Sequence, residues 1–578
     1  MFAIVVPPND DDDLQYKWRI KFLYTFQFLP SSLDSLVENL KSGANAQQHP
    51  FATVQHFFPS ESDNELLLRK GVYPYEYVDS FEKFSELQLP PIEQFYSGIQ
   101  LCSISEQNYN HALTVWHHFN CYNLGDYHDL YLLCDVLLLC DVFENFRSFS
   151  LQHYQLDPAH YMTLPSLGWA ACLRRSPCQL ELLTDPDMYT FFEAGIRGGV
   201  SCIMQRFAYA NNPELDGFDP ALPTTYIVSL DANNLYGYCM SQKMPVAQFE
   251  WLDDDELQNF NVFDVSDDSD KVYILEVDLD YPEHLHDSHN EYPLAPEKIV
   301  ITDRMLSRYS ADLKRNLNIK SVKQDKLVPT LLNKRNYVVH YRNLKLYLSL
   351  GLKLIQINRA IRFNQAAWMK PYIEFNTEQR KVAKSNFQKD LFKLLNNSVF
   401  GKSMENVRNY VDVKLVTNAD KFRKLSASPR FDRCEVFNEN LIAVMLNRVT
   451  ICLNKPIYVG FSVLELSKHL MYDFHYNAFC HIFPHHQLLY TDTDSLTYVI
   501  ETQNLQSTLK QHGSLFDFSD YPADHELYDA TNKKVMGSLR TRQTARLYEN
   551  LSVCDRRCTV SCAMGIQKRE RKGSVNQL

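Results

Sequence analysis

Glycine is scarce in this 578-residue sequence, seventeen in all, and no low-complexity tract exceeds a few residues. Flexible linkers and collagen-like arrays are excluded as the main architecture. No apolar run approaches the ~20 residues of a membrane-spanning helix, so no membrane partner is expected. The opening "MFAIVVPPNDDDD" has no basic region before its short apolar run, and no secretory leader is expected. No fixed period repeats, which excludes solenoids and propellers. Fourteen cysteines are scattered without the spacing of a disulfide framework. Even "CDRRCTVSC", with Cys554, Cys558 and Cys562 at helical spacing, lacks the short knuckle of common zinc sites. Reduced thiols in an intracellular protein are the expectation, with the compartment left open.

What is present describes a globular protein of several domains, with 45% hydrophobic and 22% charged residues. Helical runs and loops alternate to about residue 195, and a strand-rich section covers about 224–280. Helices are expected through 300–425 and mixed structure to about 536, with the last forty residues poorly packed. The net charge of −12 hides an asymmetry. Residues 298–353 carry thirteen Lys/Arg against three Asp, leaving −22 for the remainder. Tyr309, Tyr337, Tyr341 and Tyr347 interleave that basic block. It suits either a phosphate-backbone track with aromatic platforms or a solvated helical face.

Three separated stretches carry candidate chemistry. "YTDTDSLTYVI" at 490–500 reads as a β-hairpin with Asp492 and Asp494 at its tip. Two acids one residue apart repel, so the pair is either a metal-binding device or a polar surface turn. "TTYIVSLDANNLYG" reads as a buried strand from Tyr226 to Leu230 that ends at Asp231. That acid either terminates the strand or meets the hairpin acids in one sheet. "NTEQRKVAKSNFQKDLFKLLNNSVFGK" reads as a helix opened by an Asn376/Gln379 capping box. At about 100° per residue, Lys389, Lys393 and Phe400 share one stripe with Asn397 nearby, and Lys381 lies nearer the helix start. Such a stripe is either a basic solvated face or a holder for a triphosphate and a base.

Taken together, the stretches suit nucleotidyl transfer. Two divalent ions roughly 4 Å apart need carboxylates converging from different strands, here Asp231, Asp492 and Asp494. Lysines on a neighbouring helix offset charge on the phosphates, and Tyr236 could exclude a 2′-hydroxyl.

The set resembles the three polymerase motifs of family B DNA polymerases. "DANNLYG" resembles the first, "KLLNNSVFGK" the second and "YTDTDS" the third. The protein-primed branch is the closer match, especially the polymerases of Polinton/Maverick transposons. Asn234 stands in the usual Ser place, Gly237 in the Pro place and Phe400 in the Tyr place. "GIRGGVSCIMQRF" resembles the branch's template-contacting linker, with Ile196 in the Tyr place. The resemblance implies a mixed α/β right-hand polymerase with palm, fingers and partial thumb, preceded by an incomplete ribonuclease H-like exonuclease domain. It implies Asp231 and Asp494 as metal ligands with Asp492 supporting, holding two Mg²⁺ ions for which Mn²⁺ can substitute. Lys381, Lys389 and Lys393 would hold the triphosphate, while Asn397, Phe400 and Gly401 would shape the base-pair pocket. Arg197, Gly198, Gly199, Tyr490, Arg546 and Tyr548 would contact DNA. Implied partners are DNA template-primer, dNTPs and a terminal priming protein, with the chain a monomer.

Mapped along the chain, the resemblance puts a partial exonuclease-like domain at 1–195. Palm follows at 196–250 and 451–502, with insertions at 251–360 and 406–450. Fingers fall at 361–405, a thumb remnant at 503–548 and an unassigned tail at 549–578. About 130 residues separate the first motif from the finger helix, and about 90 separate the second from the third. The exonuclease is expected to be incomplete. Tyr131 and Asp135 in "YLLCDVLLLCDVFENF" match its third motif, but no D-x-E stands upstream. "ARLYENL" offers only Arg546 and Tyr548 for the thumb motif. Two rivals stand beside polymerase activity: a non-catalytic DNA-binding relic of a transposon polymerase, and a two-metal nuclease.

Overall fold

A computed structural model describes residues 2–6, 19–43, 50–99, 101–319, 325–383, 385–541, 550–554 and 559–563. At 2–6, 19–22, 43, 386, 387, 550–554 and 559–563 it describes the backbone alone. The chain forms two compact units, each mixing helices and strands as expected.

The first unit comprises residues up to Ser176 together with Tyr372–Lys402. Its spine is α1 (Leu124–Tyr154), started by a capping box between Asn123 and Asp126. Helix α1 ends where Gln155 turns left-handed at φ 56°. Its first turns pack Leu124 and Tyr127 onto Val72, Leu89, Ala112, Val115 and Trp116. Further along, the buried Asp141 accepts the backbone N–H groups of Thr53 (2.8 Å) and Val54 (3.0 Å). Thr53 and Val54 open the short helix Ala52–Phe57, and an acid at its start satisfies donors that the helix itself cannot.

Two helices close the unit, α2 (Lys370–Val382) and α3 (Asn386–Ser403). They correct the single helix opened by Asn376. Asn376 lies inside α2, fully buried, accepting from the Tyr154 hydroxyl (2.7 Å) and donating to Asn396 (2.8 Å). Its amide is spent on packing polarity in the core rather than on capping.

In the second unit a six-stranded sheet carries the hairpin. Its strands are β1 (Ser201–Ile203), β2 (Thr225–Ala232), β3 (His486–Asp492), β4 (Ser495–Glu501), β5 (Phe516–Asp517) and β6 (Leu539–Thr541). The order is β5-β6-β2-β4-β3-β1, antiparallel except for the β5/β6 pair. Helix α4 (Ile457–Asp473) is buried without interruption from Ile457 to Lys468, so it is a core helix. A second sheet joins Lys334–His340, Lys271–Asp280, Lys353–Ala366 and Met244–Trp251 in that order. Two of these strands fall where helices were expected. In "KLIQINRAIRFNQA" the Ile and Phe residues carry strand propensity that the basic composition masks. A three-stranded sheet of Val411–Val416, Leu441–Asn447 and Phe431–Asn438 buries Val416, Val444 and Leu446 as a small separate core.

The basic block is not an aromatic track. Tyr337, Tyr341 and Tyr347 are buried, and only Tyr309 of the four is exposed. Lys334 is buried too, its ammonium held by Glu297 at 2.8 Å. Charge counting is blind to this, because strand and helix periodicity turn the tyrosines inward. Among the described residues no helix is long and apolar enough to cross a membrane.

Candidate active site

Strand β2 is apolar from Tyr226 to Val228 and buried there, which places Asp231 at its far end. Strands β3 and β4 meet in a two-residue turn, Thr493–Asp494. Thr493 takes φ 61°, a conformation unusual for a β-branched residue, and its N–H donates to Val200 O at 2.8 Å. The peptide N–H of Ala232 donates to Asp494 O at 2.7 Å, so the turn is tied to the end of β2.

Register then gathers the acids. Asp231 stands opposite Ser495, Ser495 opposite Asp492, and Asp492 opposite Ser201. Directly paired residues present side chains to the same face, so Asp231 and Asp492 flank Ser495 in one row. Two strand spacings put their Cα atoms about 10 Å apart. Asp494 sits in the turn between them. Among the described residues, the only trio of His, Cys, Asp or Glu ligand atoms within 4.8 Å of one another lies elsewhere. The acids therefore line one end of the sheet without closing a tight cage. Asp231 and Asp494 are half-buried and Asp492 is exposed.

Tyr236 lies on the short helix Leu235–Met240 that follows β2. Burial, then the charges of Asp494, Cys239 and Asp492, push its phenol up to about 12. The phenol thus shares the field of the hairpin acids and stays protonated. Asn234 begins that helix in the left-handed region at φ 48°. A Cβ at Gly237 would stand 2.0 Å from Asn234 Nδ2, so the residue in the Pro place must be small.

The linker divides. Arg197 is buried, its guanidinium donating to Val338 O at 2.7 Å and lying 3.8 Å from the Tyr337 ring centre. That corrects its expected place on DNA, since the guanidinium is spent inside the fold. Gly198 is exposed with open space around it. A Cβ at Gly199 would stand 2.7 Å from Thr493 Cβ, so this glycine lets the linker touch the turn. Tyr490 is buried at 6% exposure within β3. Arg546 and Tyr548 lie outside the described residues, as does the acid run at 10–13.

Lys389, Lys393, Asn397 and Phe400 all lie on α3. Leu391, Leu395 and Val399 are buried, while Lys389, Asn397 and Phe400 are half-buried and Lys393 is exposed. Lys381 belongs to α2, beyond the break, and pairs with Glu378 at 2.7 Å. Gly401 is exposed with open space at its Cβ position.

Tyr131 and Asp135 meet on α1, the phenol donating to Asp135 Oδ2 at 2.9 Å. The ammonium of Lys70 contacts both side chains, and Tyr75 contacts Tyr131. Among the described residues Asp135 Oδ1 is buried with no hydrogen-bond partner. Burial, then Tyr75 and Asp135, hold the Tyr131 phenol well above the usual tyrosine range. Sequence reasoning missed Lys70, whose signal is a lone lysine before the aromatic run "VYPYEY". It also missed Arg540, directly opposite Asp231 and 3.4 Å from Asp520. Asp517 was missed as well. Buried beside the Asp231 strand end, it accepts from Asn233 (2.6 Å) and from the Lys534 N–H (2.9 Å).

A family model described as DNA polymerase type B, organellar and viral, matches residues 9–473. No curated protein matches the chain. Among solved structures, Phi29 DNA polymerase in complex with primer-template DNA and incoming nucleotides is 12% identical at a TM-score of 0.41. That alignment covers 84% of this chain and 65% of the Phi29 chain. Phi29 DNA polymerase with single-stranded DNA is 10% identical at 0.43, covering 95% and 68% of the two chains. The family B DNA polymerase of Pyrobaculum calidifontis is 12% identical at 0.23, covering 86% and 44%.

Proposed function

The chain belongs to the organellar and viral type B DNA polymerases, and from that membership we propose that it is a DNA-directed DNA polymerase of the protein-primed kind. It adds dNMPs to a DNA 3′-hydroxyl, or to the hydroxyl of a priming protein, in replication of a mobile or virus-like element. The observation that carries the reading is the row Asp231–Ser495–Asp492 with Asp494 in the adjoining turn. Its donors are carboxylate, hydroxyl and carbonyl oxygens, a set suited to a hard divalent cation such as Mg²⁺. Asp231 and Asp494 would hold the ions, with Asp492 beside them. Bound there, Mg²⁺ lowers the pKa of the attacking hydroxyl and offsets charge on the leaving pyrophosphate.

The remaining roles fall to side chains. Tyr236, protonated beside the acids, stands where a sugar is sorted by its 2′ position. Lys381, Lys389 and Lys393 supply ammonium groups for a triphosphate, and Asn397, Phe400 and Gly401 offer the contacts of a base-pair pocket. Gly198, with open space at its Cβ position, lets a template backbone approach closely, while Gly199 seats that linker against the turn of the hairpin. The buried thiols of Cys134, Cys172 and Cys239 are free, which suits a reducing, intracellular setting. Primer extension on a recessed duplex with Mg²⁺ and purified protein tests the proposal. Extension by single dNMP steps supports it. DNA binding without extension would leave the relic reading in its place.

A further inference from the structure

The root of β3, at the opposite end from Asp492, carries a second cluster of metal-ligating side chains. Cys480 Sγ lies 3.8 Å from His475 Nε2 and 3.5 Å from His486 Nε2. All three ligand atoms lie within 4.8 Å of one another. A tetrahedral zinc ion with Zn–S about 2.3 Å and Zn–N about 2.0–2.1 Å separates sulfur from nitrogen by about 3.6 Å. The observed spacings bracket that value.

The far nitrogen of each imidazole is already held. His486 Nδ1 lies 2.7 Å from the Phe483 carbonyl, which can only accept, so the proton sits on Nδ1. Its Nε2 lone pair therefore faces the sulfur. His475 Nδ1 lies 2.9 Å from the Tyr498 hydroxyl, and His475 is itself buried. Such outer contacts orient metal-bound imidazoles.

The backbone is shaped to the same end. Residues Phe474–Phe479 run as a π-helix. Five residues of α-helix turn through about 500° and would leave positions 475 and 480 about 140° apart. The i→i+5 repeat of a π-turn brings them to one face, and such turns concentrate at functional sites.

We propose that His475, Cys480 and His486 form a zinc site, with three protein ligands and water in the fourth position. It goes beyond the polymerase reading. A thiolate with two imidazoles selects zinc over magnesium, whereas the acids at the other end of β3 present only oxygen. The ion ties the π-helical end of α4 to the root of the strand that carries Asp492.

The test is metal content of the full chain, purified without chelator, followed by cobalt titration. One zinc per chain is expected, and cobalt should give a thiolate charge-transfer band. Cys480→Ser should lose both, while Asp494→Asn keeps both. Where Cys480→Ser does not fold, His486→Gln provides the check. It should weaken zinc by more than the about 10–100-fold that loss of an outer partner costs. Absence of stoichiometric zinc, or a cobalt band that survives Cys480→Ser, overturns the proposal. The cluster is then a metal-free relay, with Tyr498 donating to His475, His475 to the sulfur, and the thiol to His486. Neither readout depends on polymerase activity.

Discussion

Asp135 stands on a helix and the acids of the sheet at a strand end and a hairpin turn, and their nearest neighbours differ in charge. Asp135 shares its place with the Lys70 ammonium and the Tyr131 phenol. Asp231, Asp492 and Asp494 share theirs mainly with one another and with Ser495, and the cation opposite Asp231, Arg540, also pairs with Asp520 at 3.4 Å. Like charges brought together raise the cost of ionisation unless a cation enters. The direction of that field is visible at Tyr236, where burial first and then Asp494, Cys239 and Asp492 raise the phenol to about 12. An acid beside a lysine is complete as an ion pair, whereas gathered acids are suited to a cation that arrives with substrate.

The strongest way to break this contrast is to neutralise the acids of the sheet one at a time. Asp494→Asn and Asp231→Asn should each cut primer extension by on the order of 10³-fold, because losing a metal ligand removes several kcal/mol of transition-state stabilisation. DNA affinity should stay within about twofold, since that loss falls on the transition state rather than on phosphate contacts. Near wild-type extension by either variant would remove the acids from the reaction.

Sugar choice comes next. Tyr236→Val should admit ribonucleotides more readily, with discrimination between dNTP and rNTP falling about tenfold or more, on the order of the 1–3 kcal/mol that pocket shape supplies. The readout is the ratio of incorporation rates for matched dNTP and rNTP. An unchanged ratio places Tyr236 outside the pocket.

A smaller and sharper effect separates two neighbouring glycines. In Gly199→Ala the new Cβ meets Thr493 at 2.2–2.7 Å, and the turn carrying Asp494 must move. A displacement of about 1 Å at reacting groups can cost on the order of 10²-fold, so a loss of about tenfold or more in extension is expected. Gly198→Ala enters open space and should leave extension unchanged. Equal behaviour of the two variants would detach the linker from the site.

How much of this was legible in the sequence depended on the range of the interaction. The hairpin and the strand ending at Asp231 follow from local alternation and turn chemistry, and both stand as read. The register that sets Asp231 opposite Ser495 joins residues far apart in sequence, so no local pattern carries it. The helical character of α3 was readable from the sequence. The break before it was not, because Asn376 is satisfied by Tyr154, 222 residues away. Lys70 was invisible for the same reason, meeting Asp135 across 65 positions. The tyrosines of the basic block were misread because charge density reports nothing about which side of a strand or helix faces inward.

The smallest effect belongs to Asp135. An exonuclease of this family needs two ions held by acids from three motifs, and a single carboxylate beside an ammonium cannot hold them. Wild-type protein given a mismatched primer end, Mg²⁺ and no dNTPs should leave the 3′ end intact. Asp135→Ala should change neither this nor extension. Stability should fall only slightly. The Lys70 and Asp135 side chains are 27% and 22% exposed, so the pair is partly screened and the freed ammonium can swing into water. Removing the partnerless Oδ1 also relieves a desolvation cost. The net loss should be about 1 kcal/mol, read as a shift of about 2 °C in thermal unfolding. Steady 3′ shortening by the wild type that vanishes in Asp135→Ala would show a working exonuclease, and the contrast between the two acid sites would collapse.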